Sequence, residues 1–441
     1  MSKANSPQMK LGAFLMAGGH HIAAWRHPDA VADAGVDIDH FIALTQMAEA
    51  AKFDMVFFED AAAIRERNIN TASQAARSTM FEPLSLLSAL AVNTSHIGLV
   101  ATASTTYNEP YGLARTLASI DNLSGGRAGW NLVTSASELE AENFVSSGLR
   151  PHAQRYERAE EFGQVARAVW DSVDNGAYVV DGTTYADRSK LHPVDHRGTH
   201  FSVEGLLGSP RSPQGRPLMV QAGASEAGKN LAARTADVVF VAAQTLQEAQ
   251  TYYADLKSRM PGFGRNPDDL KILPGVSPIV GETESEARAK YDALQELIPD
   301  EVGVALLASY LSIKDLSQYP LEGPLPDMPA TDGIQSRQQL IIDLARRENL
   351  SIRQVARNFA GARGHWQLIG TPAQIVDELE ERFHSKAADG FNVMGAHFPG
   401  ALQDFIALVV PELRRRGLFR NEYEGRTLRE NLGITIPARA A

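Results

Sequence analysis

Short apolar runs alternate along the chain with segments whose apolar residues recur at helical spacing. An uninterrupted apolar run is typical of a strand buried on both faces, whereas apolar residues three and four positions apart predict a helix that packs by one side. Eight runs predict strands, at 9–16, 54–58, 97–101, 128–133, 217–222, 238–243, 270–280 and 391–395. Helical segments separate most of them, so the pattern predicts a parallel α/β fold.

Eight alternating strands match a TIM (β/α)8 barrel, which is the fold we expect. Two segments break the alternation and are expected as insertions after strands 4 and 7, at about 175–212 and 299–361. Because 299–333 is rich in proline and glycine, we expect irregular structure or a lid there. The alternative is an open doubly wound sheet, but no GxGxxG motif follows the first strand to favour it. The whole chain, 1–441, is thus expected to form a single barrel domain.

Composition narrows the classes of function. The 441 residues are 44% hydrophobic and carry a formal net charge of −11 without a basic run, so we expect neither nucleic acid nor an anionic membrane as partner. The absence of cysteine excludes disulfides, thiolate metal sites and cysteine nucleophiles. No segment resembles a signal peptide or a membrane span, which predicts a cytoplasmic protein.

Polar residues gather where the predicted strands end. Thr102 follows the third apolar run, and Asn131 lies near the end of the fourth, just before Thr134 and Ser135. In an α/β barrel these ends form the catalytic mouth, and a buried amide such as Asn131 needs core partners or a ligand. Asp60 ends the second strand, where capping the next element and lining the site are equally good interpretations.

The turn at 221–226 is a candidate anion site. Gly223 and Ala224 keep its backbone accessible, and Ser225 is placed to cap a helix whose N-terminal N–H groups favour an anion. An ordinary helix cap is the alternative. His152 and Tyr156 lie four positions apart on one helical face, either as packing residues or as a paired set of donors for an anion.

His20 and His21 invite a metal hypothesis, which the pattern does not favour. Adjacent histidines on a strand point to opposite faces, and no carboxylate cluster supplies further ligands. We therefore expect His20 to line the site and His21 to be structural, with no metal bound.

Several long motifs resemble one family. They are TASTTYNEPYGLARTLASIDNLSGGRAGWNLVTS, RPLMVQAGASEAGKNLAARTADVVF, GTPAQIVDELEERF, ADGFNVM and LVVPELRRRGLFRNEYEG. In this order they resemble the flavin-dependent monooxygenases of the bacterial luciferase-like superfamily, in the subgroup of nitrilotriacetate monooxygenase component A, dibenzothiophene-sulfone monooxygenase and long-chain alkane monooxygenase. The resemblance implies a TIM barrel, FMN reduced by a separate NAD(P)H:flavin reductase, O2 as co-substrate, and a homodimer or homotetramer.

The resemblance also implies roles for the candidate residues. Around the isoalloxazine ring it places Asp60, Thr102 and Asn131. Around the ribityl phosphate it places His152, Tyr156, Ala224 and Ser225. His20 matches a histidine of the substrate pocket and is the expected catalytic acid or base. Ser135 and Ala17 stand where the alkane enzyme has a histidine and a cysteine, which argues against an alkane substrate.

The expected activity is insertion of one oxygen atom of O2 into a small organic substrate through a flavin C4a-peroxy species. Two alternatives remain open at this stage: an F420-dependent oxidoreductase with the same barrel, and a non-catalytic flavin-binding protein. The sequence does not identify the substrate.

Overall fold

The structure is a computed structural model that describes residues 7–31, 33–64, 69–74, 79–144, 148–179, 182–311, 313, 315–327 and 335–439. Its strands are β1 (Lys10–Leu15), β2 (Met55–Phe58), β3 (Gly98–Ser104), β4 (Ala128–Val133), β5 (Val194–Arg197), β6 (Ser202–Gly205), β7 (Leu218–Gln221), β8 (Val238–Val241), β9 (Lys271–Val280), β10 (Trp366–Gly370) and β11 (Gly390–Val393).

The helices follow the strands in alternation. They are α1 (Ile38–Ala50), α2 (Ile69–Ala72), α3 (Pro83–Asn93), α4 (Pro110–Leu123), α5 (Glu138–Phe144), α6 (His152–Trp170), α7 (Glu226–Thr235), α8 (Leu246–Arg259), α9 (Glu284–Glu296), α10 (Asp300–Leu311), α11 (Gln335–Arg347), α12 (Ile352–Ala362), α13 (Pro372–His384), α14 (Gly400–Asp404), α15 (Val410–Arg415) and α16 (Leu428–Leu432). None of those within the described ranges is both long and apolar enough to cross a bilayer.

Eight parallel strands close into a ring in the order β1, β2, β3, β4, β7, β8, β9, β11. The ring closes because β11 pairs back onto β1, with Lys10 opposite Gly390. This confirms the predicted (β/α)8 barrel, and the closed ring rules out the open doubly wound sheet. All eight barrel strands were predicted, with ends that differ by a few residues.

Several elements differ from expectation, including the short helices α2 and α16, which were not predicted. The strand β10 was not predicted; it pairs with the second half of β9, and its alternating burial in WQLIG lacks the continuous apolar run used to identify strands. The helix α5 was also missed. Helix α10 (Asp300–Leu311) lies within the block 299–333, which was expected to be irregular. This helix can form because none of the prolines of the block lies within it. Positions 312, 314 and 328–334 of the block lie outside the described residues.

The insertion after the fourth barrel strand contains a two-stranded hairpin of β5 and β6, as its lack of helical period predicted. Glu161 on α6 holds this hairpin in place. Its carboxylate accepts hydrogen bonds from the ring of His196 at 2.9 Å and from the N–H groups of His200 and Phe201, both at 2.9 Å.

The amino ends of the strands form the closed end of the barrel. Three aspartates immediately precede barrel strands: Asp54 before β2, Asp237 before β8 and Asp389 before β11. Each carboxylate accepts a hydrogen bond of 2.8 Å from a backbone N–H near the start of the neighbouring strand, which is β1, β7 or β9 respectively. Buried arginines from the C-terminal segment pair with two of these carboxylates, Arg420 with Asp54 and Arg429 with Asp237. The side chains of α16 pack into the same apolar cluster as the barrel interior. The carboxyl ends of the strands therefore form the open mouth.

Candidate active site

Five consecutive strands of the ring bring the predicted site residues to the mouth. His20 follows β1, Asp60 follows β2, Thr102 and Asn131 lie near the ends of β3 and β4, and Ser225 follows β7. His152 and Tyr156 join them because α6 begins at the mouth before running down the outside of the barrel.

Thr102 and Asn131 form one hydrogen-bonded unit. They lie opposite each other in the register of β3 and β4, and Asn131 Nδ2 donates to Thr102 Oγ1 at 2.8 Å. Thr102 in turn donates to the carbonyl of Phe58 at 2.9 Å. Asn131 Oδ1 is buried and accepts no hydrogen bond from any described residue. A buried acceptor left in this way costs about 1–3 kcal/mol, which a ligand N–H would offset.

The N-terminus of α7 forms the second part of the site. Ser225 is the N-cap, as predicted, and its hydroxyl accepts the N–H of Gly228 at 3.2 Å. A Cβ atom on Gly223 would lie 2.9 Å from the Cα of Gly228 and 3.2 Å from the hydroxyl of Tyr156, so only glycine fits this turn. The structure thus brings the Tyr156 hydroxyl against the 223–225 turn, beside the cap.

His152 and Tyr252 also lie beside the 223–225 turn, which includes Ala224. The ring of His152 is 4.7 Å from that of Tyr156, and Ala224 sits between Gly223 and the cap. Tyr252 donates to the carbonyl of Gly223 at 3.2 Å, and burial raises the pKa of this phenol, which keeps it a donor. A helix N-terminus with these hydroxyl and imidazole groups suits a phosphate.

His20 lies at the mouth, beyond the end of β1 rather than on the strand itself. β1 ends at Leu15, so His20 and His21 lie in the following loop, and both are buried. His20 Nε2 lies 2.8 Å from the carbonyl oxygen of Phe14, and Nδ1 lies 3.4 Å from a guanidinium nitrogen of Arg363. The carbonyl can only accept, so the Nε2 that faces it carries a proton.

Arg363 is the site residue that the sequence did not reveal. Its guanidinium pairs with Glu59 at 2.7 Å, beside the sulfur of Met16. Burial opposes the charge of Arg363, but Glu59 and Tyr310 outweigh it and raise the pKa of the guanidinium. Arg363 has φ of +55° and ends α12 in the left-handed conformation, with its N–H donating to the carbonyl of Phe359. No sequence pattern marks it, since Glu59 and Arg363 are 304 residues apart.

Asp60 lies half-buried two residues beyond the end of β2. Its neighbour Glu59, which the sequence did not single out, is the carboxylate that faces the arginine. The two adjacent acids therefore differ in their surroundings, and only Asp60 was expected in the site.

Loops after β3 and β4 complete the mouth. Ser135 has φ of +37° and bonds through its hydroxyl to Ser104 Oγ at 2.8 Å, which ties the ends of the two strands together. Arg158 on α6 donates to the carbonyl of Thr105 and stacks 4.5 Å from the ring of Phe201. The loop that follows Thr102 is thus held from α6, the same helix that carries Tyr156.

The chain matches the model of the luciferase-like monooxygenases over residues 15–390. It is 48% identical over 440 residues to nitrilotriacetate monooxygenase component A of Aminobacter aminovorans, covering 98% of this chain and 97% of the relative. It is 47% identical over 434 residues to the N-acetyl-S-(2-succino)cysteine monooxygenase of Bacillus subtilis (strain 168), with the same coverage.

Solved structures agree with this assignment. The crystal structure of a long-chain alkane monooxygenase superposes with a TM-score of 0.85 at 32% identity, covering 97% of this chain and 96% of the other. The match therefore extends over the barrel and both insertions. The chain belongs to the luciferase-like monooxygenases, and it is a flavin-dependent oxygenase component.

Proposed function

We propose that the mouth binds reduced FMN, delivered by a separate NAD(P)H:flavin reductase, and that one atom of O2 enters a small carboxylate-bearing substrate there. The observation that carries the flavin site is the buried oxygen of Asn131, which lacks a partner among the described residues, on the same rim as the helix N-terminus at Ser225. An amide acceptor for a ring N–H and a phosphate cradle are the two contacts that FMN needs at its two ends.

In this assignment Asp60, Thr102 and Asn131 surround the flavin ring. The phosphate lies against Tyr156, His152, Ala224 and Ser225. When bound, the reduced flavin supplies the reaction with oxygen, while the protein orients it and excludes water. A homodimer or homotetramer remains our expectation from the family.

The substrate class rests on Arg363 and on two relatives. Nitrilotriacetate and N-acetyl-S-(2-succino)cysteine, for which the relatives are named, both carry several carboxylates. A guanidinium presents a planar set of donors that matches a carboxylate. Among the described residues, Arg363 is a buried cation at this part of the mouth, and it contacts Glu59 and His20. We assign Arg363 to the substrate carboxylate.

This assignment changes the expected role of His20. One ring nitrogen donates to Phe14 and the other faces a cation, so a protonated His20 would set two positive charges against each other. His20 is therefore a positioning residue for Arg363 rather than a proton donor to the substrate.

The test is oxygen uptake by the purified chain with FMN, NADH and a generic flavin reductase. Nitrilotriacetate, S-(2-succino)cysteine derivatives, an aromatic sulfone and an alkane are compared as substrates. We expect substrate-dependent uptake with a product that carries 18O from 18O2, for carboxylate-bearing compounds only. Product formation without flavin, or with F420 in place of FMN, would overturn the proposal.

The double variant Tyr156→Phe/Ser225→Ala should weaken the binding of reduced FMN by at least about 100-fold, because hydrogen bonds to a charged group contribute about 1.5–3 kcal/mol each. Anaerobic titration followed by flavin fluorescence measures the change. Ser225 also caps α7, so Thr371→Ala, which removes the cap of α13, is the matched control. An unchanged FMN affinity in the double variant would contradict the phosphate assignment.

A further inference from the structure

A second cleft lies at the opposite end of the barrel from the mouth. α6 runs downward from His152 at the mouth, so its last turns reach the closed end, where Arg216 precedes β7. The cleft there measures about 650 Å³. Its polar lining comes from Gln164, Arg167, Asp171, His192, Asp195, His196, Arg216 and Arg439. We call it the lower cleft.

Most charged groups of the lower cleft are paired. Asp171 accepts hydrogen bonds from Arg211 at 2.8 Å and from Arg216 at 3.1 Å. Asp174 contacts His192 at 2.8 Å and Arg439 at 3.5 Å. Three arginines, Arg167, Arg216 and Arg439, line the cleft with two carboxylates, those of Asp171 and Asp195, in a protein whose net charge is −11. The local charge is opposite to that of the whole molecule.

Arg167 is the arginine of the lower cleft that has no carboxylate partner among the described residues. It forms no ion pair within 4 Å with any carboxylate of the described residues, and its Nε donates only to the carbonyl of Gly163, at 3.3 Å. Its side chain is half-buried on the wall of the cleft. Burial, followed by the charges of Arg216 and Arg265, lowers the pKa of Arg167 to about 10.

A partly buried cation such as Arg167 normally has an anionic partner. Buried charges are paired or bind an ion, because an unpaired charge removed from water is costly. The charges of Arg216 and Arg265 increase this cost, and those of Asp237 and Asp171 offset part of it. An anion in the cleft would neutralise Arg167 and relieve its repulsion from Arg216.

We propose that the lower cleft is an anion-binding site, in which Arg167 holds the phosphate or carboxylate group of a small molecule and Arg216 and Arg439 flank it. Guanidinium groups bind both anions through paired N–H donors. The site is separate from the proposed flavin phosphate site, because Arg167 follows Tyr156 by 11 positions on α6, about 16 Å at the helical rise. Nothing in the oxygenation reaction requires it.

The experiment uses the full chain saturated with FMN, so that the phosphate site at the mouth is already filled. Thermal unfolding and isothermal titration calorimetry are followed while inorganic phosphate, or in a second arm malonate, replaces chloride at constant ionic strength. We expect a saturable rise in Tm with at least one of the two anions in the wild type. This rise in Tm should be lost completely in Arg167→Gln. The control variant Arg288→Gln, which removes an exposed arginine on α9, should retain it.

The basal stability separates a binding residue from a structural one. Without added anion, Arg167→Gln should have an equal or higher Tm than the wild type, because it removes an uncompensated cation. A lower Tm would make Arg167 a structural residue and overturn the proposal. So would a wild type that responds to neither anion, or a response that survives Arg167→Gln.

The same variant tests independence from the proposed function. FMN-dependent oxygen uptake should be unchanged in Arg167→Gln, since no mouth residue is altered. An anion response lost in Arg363→Met but kept in Arg167→Gln would place the anion at the mouth and contradict the lower-cleft site. Failure of the oxygenation proposal would leave the anion titration unaffected.

Discussion

Replacing Arg363 with methionine is expected to lower kcat/KM by about 100-fold, with the affinity for FMN nearly unchanged. Methionine keeps much of the side-chain volume but removes the guanidinium assigned to the substrate carboxylate, and the loss of one preorganised charged donor typically costs 10²–10³ in rate. It also leaves the carboxylate of Glu59 buried without its cation. Breaking a buried pair in this way costs about 3–5 kcal/mol of stability. Steady-state oxygen uptake and urea unfolding measure the two effects.

The double variant Glu59→Gln/Arg363→Met separates these effects. With both charges removed, most of the lost free energy of unfolding should return, whereas the activity should stay low. Recovery of activity together with stability would show that Arg363 acts only through the fold. Glu59→Gln alone should retain more activity than Arg363→Met, because the guanidinium remains.

The second large effect is expected at the closed end of the barrel. Asp237 accepts the N–H of Met219 at 2.8 Å and pairs with the fully buried Arg429 at 2.7 Å. Asp237→Asn leaves that guanidinium without a countercharge, so the free energy of unfolding should fall by about 3–5 kcal/mol at pH 7. Activity at low temperature should persist, since no mouth residue changes. Urea unfolding of the FMN-free protein measures the loss.

The pH dependence of this loss follows from the pKa of Asp237. Burial acts to raise this pKa, but Arg429 and Arg265 lower it below the ordinary value. A carboxyl group with a depressed folded pKa stabilises the protein above its unfolded pKa, near 3.9, and this stabilisation is lost as pH falls through the folded value.

The difference in stability between wild type and Asp237→Asn should therefore be constant from pH 5 to 8 and shrink below about pH 4. Asp292→Asn, at an exposed pair on α9, should change stability by less than about 0.5 kcal/mol at every pH. A difference that grows with acidity would contradict the assignment of the charge to Asp237.

The barrel could be predicted because its evidence is local. Each barrel strand is buried on both faces and carries an apolar run, and the helix cap at Ser225 lies next to the residues it serves. β10 escaped prediction because it is an outer strand with alternating burial. α10 was not predicted because the block around it is rich in proline, although all of these prolines lie in neighbouring segments and none in the helix itself.

The site was only partly predictable for the same reason. Thr102 and Asn131 sit at strand ends, where local position already indicates the mouth. Glu59 and Arg363 are brought together by the closed ring, across 304 positions of sequence. His20 lies 3.4 Å from a guanidinium nitrogen of Arg363, a contact between distant parts of the sequence that local position does not indicate.

The pairing of β1 with β11 also constrains how the molecule is made. Lys10 meets Gly390, 380 residues later, so during synthesis β1 is complete long before β11, the last strand of the barrel. At roughly 5–20 residues per second, this interval lasts about 20–75 s. During that time β1, whose residues are almost entirely apolar on both faces, lacks its pairing strand β11 along one edge. Protection of this nascent segment, more than the intrinsic stability of the finished barrel, should therefore limit the yield of active protein in cells.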